Sequence, residues 1–462
     1  MTRIVIIGGG PAGYESALVA AQLGATVTVV DSDGVGGSCV LTDCVPSKTL
    51  IATSDRVTAF RDAPRVGVGT AAGKVAVDLT SVNDRIKKLA QQQSQDISAR
   101  LVQVGVTVLP GRGRFSANQP PRAHRVEVVD TAGAVADTLE ADVVLLATGG
   151  TPRVLESAEP DGERILSWRQ VYDLTELPQH LVVVGSGVTG AEFASGYSEL
   201  GVPVTLVSSR DRVLPGEDPD AAEVIEQVFT SRGGTLVKRA RASAVKRIGD
   251  GVVVELQDGR TVEGSHALMC VGSLPNSTGL GLEHVDITPD EPGYISVDRV
   301  SRTSVPSIYA AGDCTGVLPL ASVAGMQGRI AMWHALGEAV APLRLKTVAA
   351  NVFTHPEIAT VGLISEQVPG RTVTLPLATN ARAKMQGHRE GFVKLYCRPA
   401  TGVVIGGVIV APDASELIFP VALAVQRGLT VADLAGTIGV YPSLSGSVAE
   451  AARRLMLHDD LD

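Results

Sequence analysis

Residues 4–13 read Ile4-Val5-Ile6-Ile7-Gly8-Gly9-Gly10-Pro11-Ala12-Gly13, and residues 181–190 repeat the plan as Leu181-Val182-Val183-Val184-Gly185-Ser186-Gly187-Val188-Thr189-Gly190. In each, an apolar strand runs into a G-x-G-x-x-G turn. A helical stretch over 14–23 follows the first turn and is stopped by Gly24, and a strand over 26–30 ends at Asp31. After the second turn a helix runs to Leu200, Gly201 stops it, and a strand over 203–207 ends at Ser208. Two such units predict an α/β fold with parallel sheets and two Rossmann-like dinucleotide-binding domains. The first glycine of each motif (Gly8, Gly185) permits the tight turn. The second (Gly10, Gly187) lets a pyrophosphate approach the backbone, and the third (Gly13, Gly190) lets helix pack on strand. The helix start then offers N–H groups and a partial positive charge to the phosphates.

Asp31 and Ser208 stand at equal distances after Gly13 and Gly190 but differ in charge. A carboxylate at this position accepts hydrogen bonds from an adenosine ribose 2′-hydroxyl and repels a 2′-phosphate. Asp31 therefore suits FAD or NAD. Ser208 removes the repulsion, and Ser209, Arg210 and Arg212 follow it. A guanidinium and hydroxyls there suit a 2′-phosphate. The expectation is that NADPH is accepted, with a preference for it, and that NADH is tolerated. The alternative is that Arg210 and Arg212 only solvate a loop.

The 462 residues allow about three domains. A net charge of -9 without a basic stretch argues against a nucleic-acid partner. No apolar run of about 18 residues appears, so no membrane span is expected. Met1-Thr2-Arg3 leads directly into the first strand and leaves no room for a signal peptide, so a cytoplasmic protein is expected. Between the two motifs, residues 81–104 predict a long polar helix, and 141–148 a buried strand ending at Gly149-Gly150. Residues 307–313 predict another strand, ending on Asp313, and 319–337 a helix of small residues. From about residue 346, short strands near 349–352, 392–396 and 403–410 predict a separate α/β unit.

The five cysteines are Cys39, Cys44, Cys270, Cys314 and Cys397. An odd, sparse set is no secreted disulfide framework, and in a reducing compartment a close pair serves catalysis or metal binding more readily than structure. The pair lies in Gly36-Gly37-Ser38-Cys39-Val40-Leu41-Thr42-Asp43-Cys44-Val45-Pro46-Ser47-Lys48. On an ideal helix such residues have Cα atoms about 8–9 Å apart, beyond the ~7 Å reach of a disulfide. A bridge therefore needs a distorted stretch, and Pro46 is compatible with one. Free thiols are the alternative. No Cys/His cluster at zinc spacing accompanies the pair, and no metal is expected. Cys270, Cys314 and Cys397 read as core residues.

This segment and the two fingerprints resemble the FAD-dependent pyridine nucleotide-disulfide oxidoreductases, which include lipoamide dehydrogenase, glutathione reductase and mycothione reductase. The resemblance covers essentially the whole chain and extends to the lipoamide-dehydrogenase-like branch with quinone reductase activity. It implies that Cys39 is the interchange thiol and Cys44 the thiol facing the flavin. Lys48 is then expected near the reactive flavin nitrogen, paired with Glu192. Taken alone, these two read as a surface lysine and a first-turn glutamate; the joint motif reverses that. Ala147-Thr148-Gly149 and Tyr309-Ala310-Ala311-Gly312-Asp313 also match, which places Thr148, Gly149 and Asp313 at the FAD, with Asp313 on its ribityl chain. Phe353-Thr354-His355-Pro356-Glu357-Ile358-Ala359 resembles the start of the family's dimerisation domain. The implied domains are FAD-binding over 1–150 and 271–346, NAD(P)-binding over 151–270, and interface over 347–462, in a homodimer.

The chain departs from the family pattern in two places. The disulfide reductases end in a motif resembling H-P-T-x-S-E, whose histidine is the acid–base for thiol exchange and whose glutamate orients it. Here the stretch reads Tyr441-Pro442-Ser443-Leu444-Ser445-Gly446, so both members of that dyad are replaced. Histidine titrates near neutrality, whereas a phenol with a pKa of about 10 is a poor base there. His355, His388 and His458 lie outside the motif and read as structural or surface residues. Also, Cys270-Val271-Gly272-Ser273-Leu274-Pro275-Asn276 resembles a G-R-x-P-N element with Ser273 for arginine; Gly272 is expected on the nicotinamide side. The expected activity is hydride transfer from NAD(P)H to FAD and on to a quinone-type acceptor, with Tyr441 as a possible hydrogen-bond donor. The alternatives are a disulfide reductase using Cys39 and Cys44, and a non-catalytic flavin-binding partner of a larger complex.

Overall fold

A computed structural model describes residues 1–69, 75–363 and 370–456. The chain divides into two compact units. The first holds Met1–Ser47, Asn83–Arg153 and Gly272–Leu343; the second holds Lys48–Val82, Val154–Val271 and Arg344–Asp462. Residues 48–82 thus group with 154–271 and 344–462.

The first unit is built on a five-stranded parallel sheet. Its order is Ile308–Ala310, Val143–Leu146, Arg3–Ile7, Thr26–Asp31, Thr107–Pro110. Within Arg3–Ile7, residues Ile4, Val5, Ile6 and Ile7 form an unbroken apolar run, as expected where both faces of the sheet are covered. Ile4 and Ile6 pack with Ala12, Ala17 and Ala20 of the helix Pro11–Gln22 and with Ala331 and Met332 of the helix Ala321–Ala335. Val5 and Ile7 point the other way, toward Phe115, Val126 and Val128 of an antiparallel three-stranded sheet. The two helices meet through small residues: a Cβ on Gly328 would collide with Ser16 and the Ala12 carbonyl. The predicted polar helix is Leu79–Gln103.

In the second unit a parallel sheet runs in the order Thr235–Val237, Val204–Val207, Leu181–Val184, His266–Met269, Ile165–Ser167. Val182, Val184 and Val207 share a core with Val245, Val252 and Val254 of an antiparallel three-stranded sheet. The C-terminal part adds a five-stranded antiparallel sheet, in which Val404–Ala411 pairs with both Glu357–Gly362 and Phe392–Cys397. Cys314 and Cys397 are fully buried and Cys270 nearly so, as core residues should be. His458 lies outside the described residues.

Candidate active site

The two fingerprints fold alike down to single hydrogen bonds. Gly10 and Gly187 have nearly the same backbone conformation (φ -67, ψ -174 and φ -73, ψ -173). Gly8 N donates to Val30 O at 2.8 Å, and Gly185 N to Val207 O at 3.0 Å. Gly9 O accepts from Gly36 N at 2.8 Å, and Ser186 O from Leu214 N at 2.9 Å. Gly8 and Gly185 have positive φ, and a Cβ on either would strike the carbonyl of Ala147 or of Cys270. Gly13 and Gly190 sit against the carbonyls of Gly8 and Gly185. The middle glycines face space instead: a Cβ on Gly187 would meet nothing within 4 Å, and one on Gly10 only the Gly37 Cα at 4.0 Å. Neither helix start carries a side-chain cap. Open space beside uncapped N–H groups fits a pyrophosphate at each motif.

At the first motif the Asp31 carboxylate accepts from Gly9 N at 2.6 Å, Asp33 N at 2.8 Å and Gly34 N at 2.7 Å. Burial nonetheless pushes its carboxyl upward, against those three bonds. The residue therefore shapes the turn. Thr148 Oγ1 donates to Asn276 O at 2.6 Å, Asn276 Nδ2 to Thr148 O at 2.9 Å, and Asn276 N to Gly149 O at 3.0 Å. This latch holds Gly149, whose positive φ and lack of neighbours leave a gap beside it. Asp313 is half-buried, burial pushes its carboxyl upward, and no described residue donates to it. An unpartnered carboxylate among these glycines fits the hydroxyls of FAD.

At the second motif Ser208 is fully buried. Its hydroxyl lies 2.7 Å from Ser186 Oγ and accepts from Arg210 N at 3.1 Å. The Ser208 hydroxyl is thus engaged inside the turn, and the position carries no charge. Arg212 donates to Pro215 O at 3.2 Å. Arg210 is exposed, and so is Arg239, whose amide donates to Arg210 O at 2.8 Å. Arg239 was invisible in sequence because the pairing of Val207 with Val237 brings it there across the sheet. Gly272, at φ +93, has open space around it, and its carbonyl accepts from Arg153 N at 2.9 Å.

Cys39 lies in the short helix Gly37–Leu41, and Cys44 opens the helix Cys44–Asp62. The helix breaks at Thr42 and Asp43, between the two cysteines; Asp43 N and Thr42 N both turn back to Ser38 O. Pro46 lies beyond the break, within the first turn of the second helix. Gly37 packs so tightly on Gly10 that a Cβ there would lie 2.8 Å from the Gly10 Cα. The Gly36-Gly37 step thus sets the cysteine helix directly against the first fingerprint.

One turn beyond Cys44, Lys48 Nζ lies 2.8 Å from Glu192 Oε2, the latter only 5% exposed. The other Glu192 oxygen accepts from Phe353 N at 2.9 Å. Lys48 Nζ also stands 4.9 Å from the centre of the Phe353 ring. A carboxylate and an aromatic face thus both meet the ammonium. Tyr441 is 86% exposed, with Val440 and Ile438 exposed beside it. Gly446 opens the helix Gly446–Met456.

Comparisons with known proteins agree with this geometry. Residues 2–328 match the pyridine nucleotide-disulphide oxidoreductase family, and residues 348–452 its dimerisation domain. The chain is 60% identical, over its whole length and 95% of the relative, to an NAD(P)H dehydrogenase (quinone) of Mycobacterium tuberculosis. It is 34% identical, over 97% of its length and 96% of the relative, to a dihydrolipoyl dehydrogenase of Chlorobaculum tepidum. The crystal structure of LpdA from M. tuberculosis superposes with a TM-score of 0.95 at 59% identity, covering 99% of this chain and 100% of that one. No helix among the described residues is long and apolar enough to cross a membrane. With both cofactor motifs, the cysteine pair and a dimerisation domain in place, the chain belongs to the pyridine nucleotide-disulphide oxidoreductase family.

Proposed function

We propose that the protein is a homodimeric NAD(P)H dehydrogenase that transfers electrons through FAD to a quinone, in the balance NAD(P)H + H⁺ + quinone → NAD(P)⁺ + quinol. FAD, when bound, supplies a ring that takes up a hydride and gives up two electrons. The chain's residues bind and orient. Gly8, Gly10 and Gly13 cradle one pyrophosphate, Asp31 takes the adenosine ribose, and Asp313 takes the polar chain beyond it. Gly185, Gly187 and Gly190 do the same for the nicotinamide cofactor, with Gly272 beside it. Lys48, fixed by Glu192, places a positive charge at the redox centre, where negative charge builds during reduction.

The observation that carries the acceptor assignment is Tyr441, with Gly446, in place of an acid–base dyad. Thiol–disulfide exchange needs a thiolate attacker and a protonated leaving thiol. A phenol supplies the first poorly at neutral pH. Electron transfer to a quinone needs neither, and the 60% identical relative bears that activity in its name. The second reading, a disulfide reductase, is favoured by the intact Cys39 and Cys44 and by the similarity to dihydrolipoyl dehydrogenases. Steady-state NAD(P)H oxidation with a naphthoquinone and with lipoamide separates them. Quinone turnover should exceed disulfide turnover by orders of magnitude; efficient lipoamide reduction overturns the first reading.

For the nicotinamide, the reading is a preference for NADPH, with Arg210 and Arg239 meeting the 2′-phosphate. It rests on the uncharged Ser208 and on two exposed guanidinium groups beside it. A cytoplasmic location is proposed alongside it and is checked by fractionation.

A further inference from the structure

The helix Cys44–Asp62 carries Lys48 and Asp55 two turns apart on one face, and Val188–Glu199 carries Glu192, Ser195 and Glu199 at helical spacing. The segment Phe353-Thr354-His355 joins them. Its alternate amides are donated to successive turns of the second helix: Phe353 N to Glu192 Oε1 at 2.9 Å, His355 N to Ser195 Oγ at 3.2 Å. The His355 ring reaches the first helix, with Nδ1 3.1 Å from Asp55 Oδ1. Glu199 is 1% exposed and accepts from Ser54 Oγ at 2.9 Å, Ser195 Oγ at 2.9 Å and Arg232 Nη1 at 3.0 Å. Arg232 Nη1 also donates to His355 O at 3.3 Å.

Asp55, Glu199 and His355 bring potential ligand atoms within 4.8 Å of one another, but a guanidinium already occupies Glu199. The cluster is an ion network: with His355 protonated, two cations face two carboxylates. Nothing in the electron-transfer scheme uses it. It does, however, join the helix bearing Lys48 to the helix bearing Glu192, two turns from their ion pair.

We propose that His355 is a positioning residue, which ties these two helices together and so holds Lys48 and Glu192 in register for flavin reduction. The inference rests on the reading that Lys48 serves the flavin. The groups facing His355 are Asp55 from one helix, Glu199 from the other, Arg232 after the helix Pro219–Ser231, and His388 after the helix Ala381–Gln386. Burial pulls the His355 imidazole down and Arg232 adds to that, but Asp55 and Glu199 outweigh them, and its pKa is raised. His388 is pulled down by its own burial and by His355. With both carboxylates ionised, the tie is therefore complete below the raised His355 value and slackens as pH rises through it; burial also raises the Glu199 carboxyl, so the network weakens again in acid.

The test uses the flavin-loaded protein, wild type, His355→Gln and Asp55→Asn; the second, at a half-exposed carboxyl, guards against misfolding of the first. Hydrogen exchange over residues 350–358 reads the tie itself, and stopped-flow reduction of the flavin by NADPH reads its consequence. Both variants should lose amide protection at Phe353 and His355 and slow flavin reduction by about tenfold or more. The wild-type rate should fall as pH rises through the raised His355 value, which lies above the ordinary imidazole range, and this limb should vanish in His355→Gln. Lost protection with an unchanged rate and pH profile overturns the proposal and leaves His355 a structural residue. A wild-type flavin that neither nicotinamide reduces overturns the parent reading as well, and is told apart because it needs no variant.

Discussion

The hydroxyl oxygens of Ser186 and Ser208 lie 2.7 Å apart, where the first fingerprint has the Gly9 amide donating to Asp31 at 2.6 Å. The turn is closed in both motifs, by a neutral pair in one and by a charge in the other. The second motif therefore keeps its shape without a carboxylate at this position. On the proposed reading, that one exchange sets the two nucleotide sites apart.

Ser208→Asp should restore the repulsion toward a 2′-phosphate. The ratio of kcat/KM for NADPH to that for NADH is expected to fall at least about tenfold, a difference of about 1.4 kcal/mol. Arg239→Ala should move the ratio the same way by weakening NADPH alone. Steady-state kinetics with both nucleotides checks this, and an unmoved ratio in both variants would show that the 2′-phosphate is not read at this loop.

Much of this was legible because it is local. A glycine turn after an apolar strand is written in consecutive residues, and so is the Gly36-Gly37 step that packs the cysteine helix onto Gly10. Lys48 and Glu192 were paired through the family motif alone, since no periodicity links positions so far apart. What stayed hidden depends on which strands lie side by side. Arg239 reaches Arg210 only through a strand pairing, and His355 reaches Asp55 only through tertiary packing. At Ser208 the sequence shows which group is present but not how deeply it is buried.

Removing one partner of the Lys48–Glu192 pair leaves the other unbalanced. Glu192 is 5% exposed, and without Lys48 it keeps the Phe353 amide and loses its counter-charge. Lys48→Met should cost about 2–3 kcal/mol, less than for a fully buried pair because the lysine is 29% exposed. The double variant Lys48→Met/Glu192→Gln should regain part of that loss. Denaturant unfolding of the flavin-loaded protein measures both, and equal destabilisation in single and double variants would mean the pair contributes nothing.

His266 sets an acid limit. Its Nε2 lies 3.2 Å from Arg164 Nη1, a group that can only donate, and its Nδ1 lies 3.0 Å from Ser265 Oγ. Burial first, and Arg164 second, lower its pKa to about 4. The folded state therefore resists a proton that the unfolded chain accepts at about 6.5. Stability contributed by the neutral ring is present above pH 6.5 and is lost as pH falls from there toward 4. Across that window His266→Gln should lose about 2–3 kcal/mol less than the wild type. Parallel wild-type and variant curves of unfolding free energy against pH would count against it.

On the proposed reading, the terminal motif and the cysteine pair together decide where electrons leave. Tyr441 is 86% exposed in the single chain, so replacing it should alter stability by no more than about 0.5 kcal/mol. Tyr441→His with Gly446→Glu restores a group that titrates near neutrality and a carboxylate to orient it. Lipoamide reduction should then rise at least about tenfold, within the range a positioned acid–base contributes. Cys44→Ser in the same background should abolish the gain, because the electrons must pass through the thiol pair to reach a disulfide. In the otherwise native chain, Cys44→Ser should leave naphthoquinone turnover within about threefold of wild type, since that transfer requires no thiolate. If Cys44→Ser instead removes quinone turnover, the cysteines lie on the main route and the disulfide-reductase reading takes precedence.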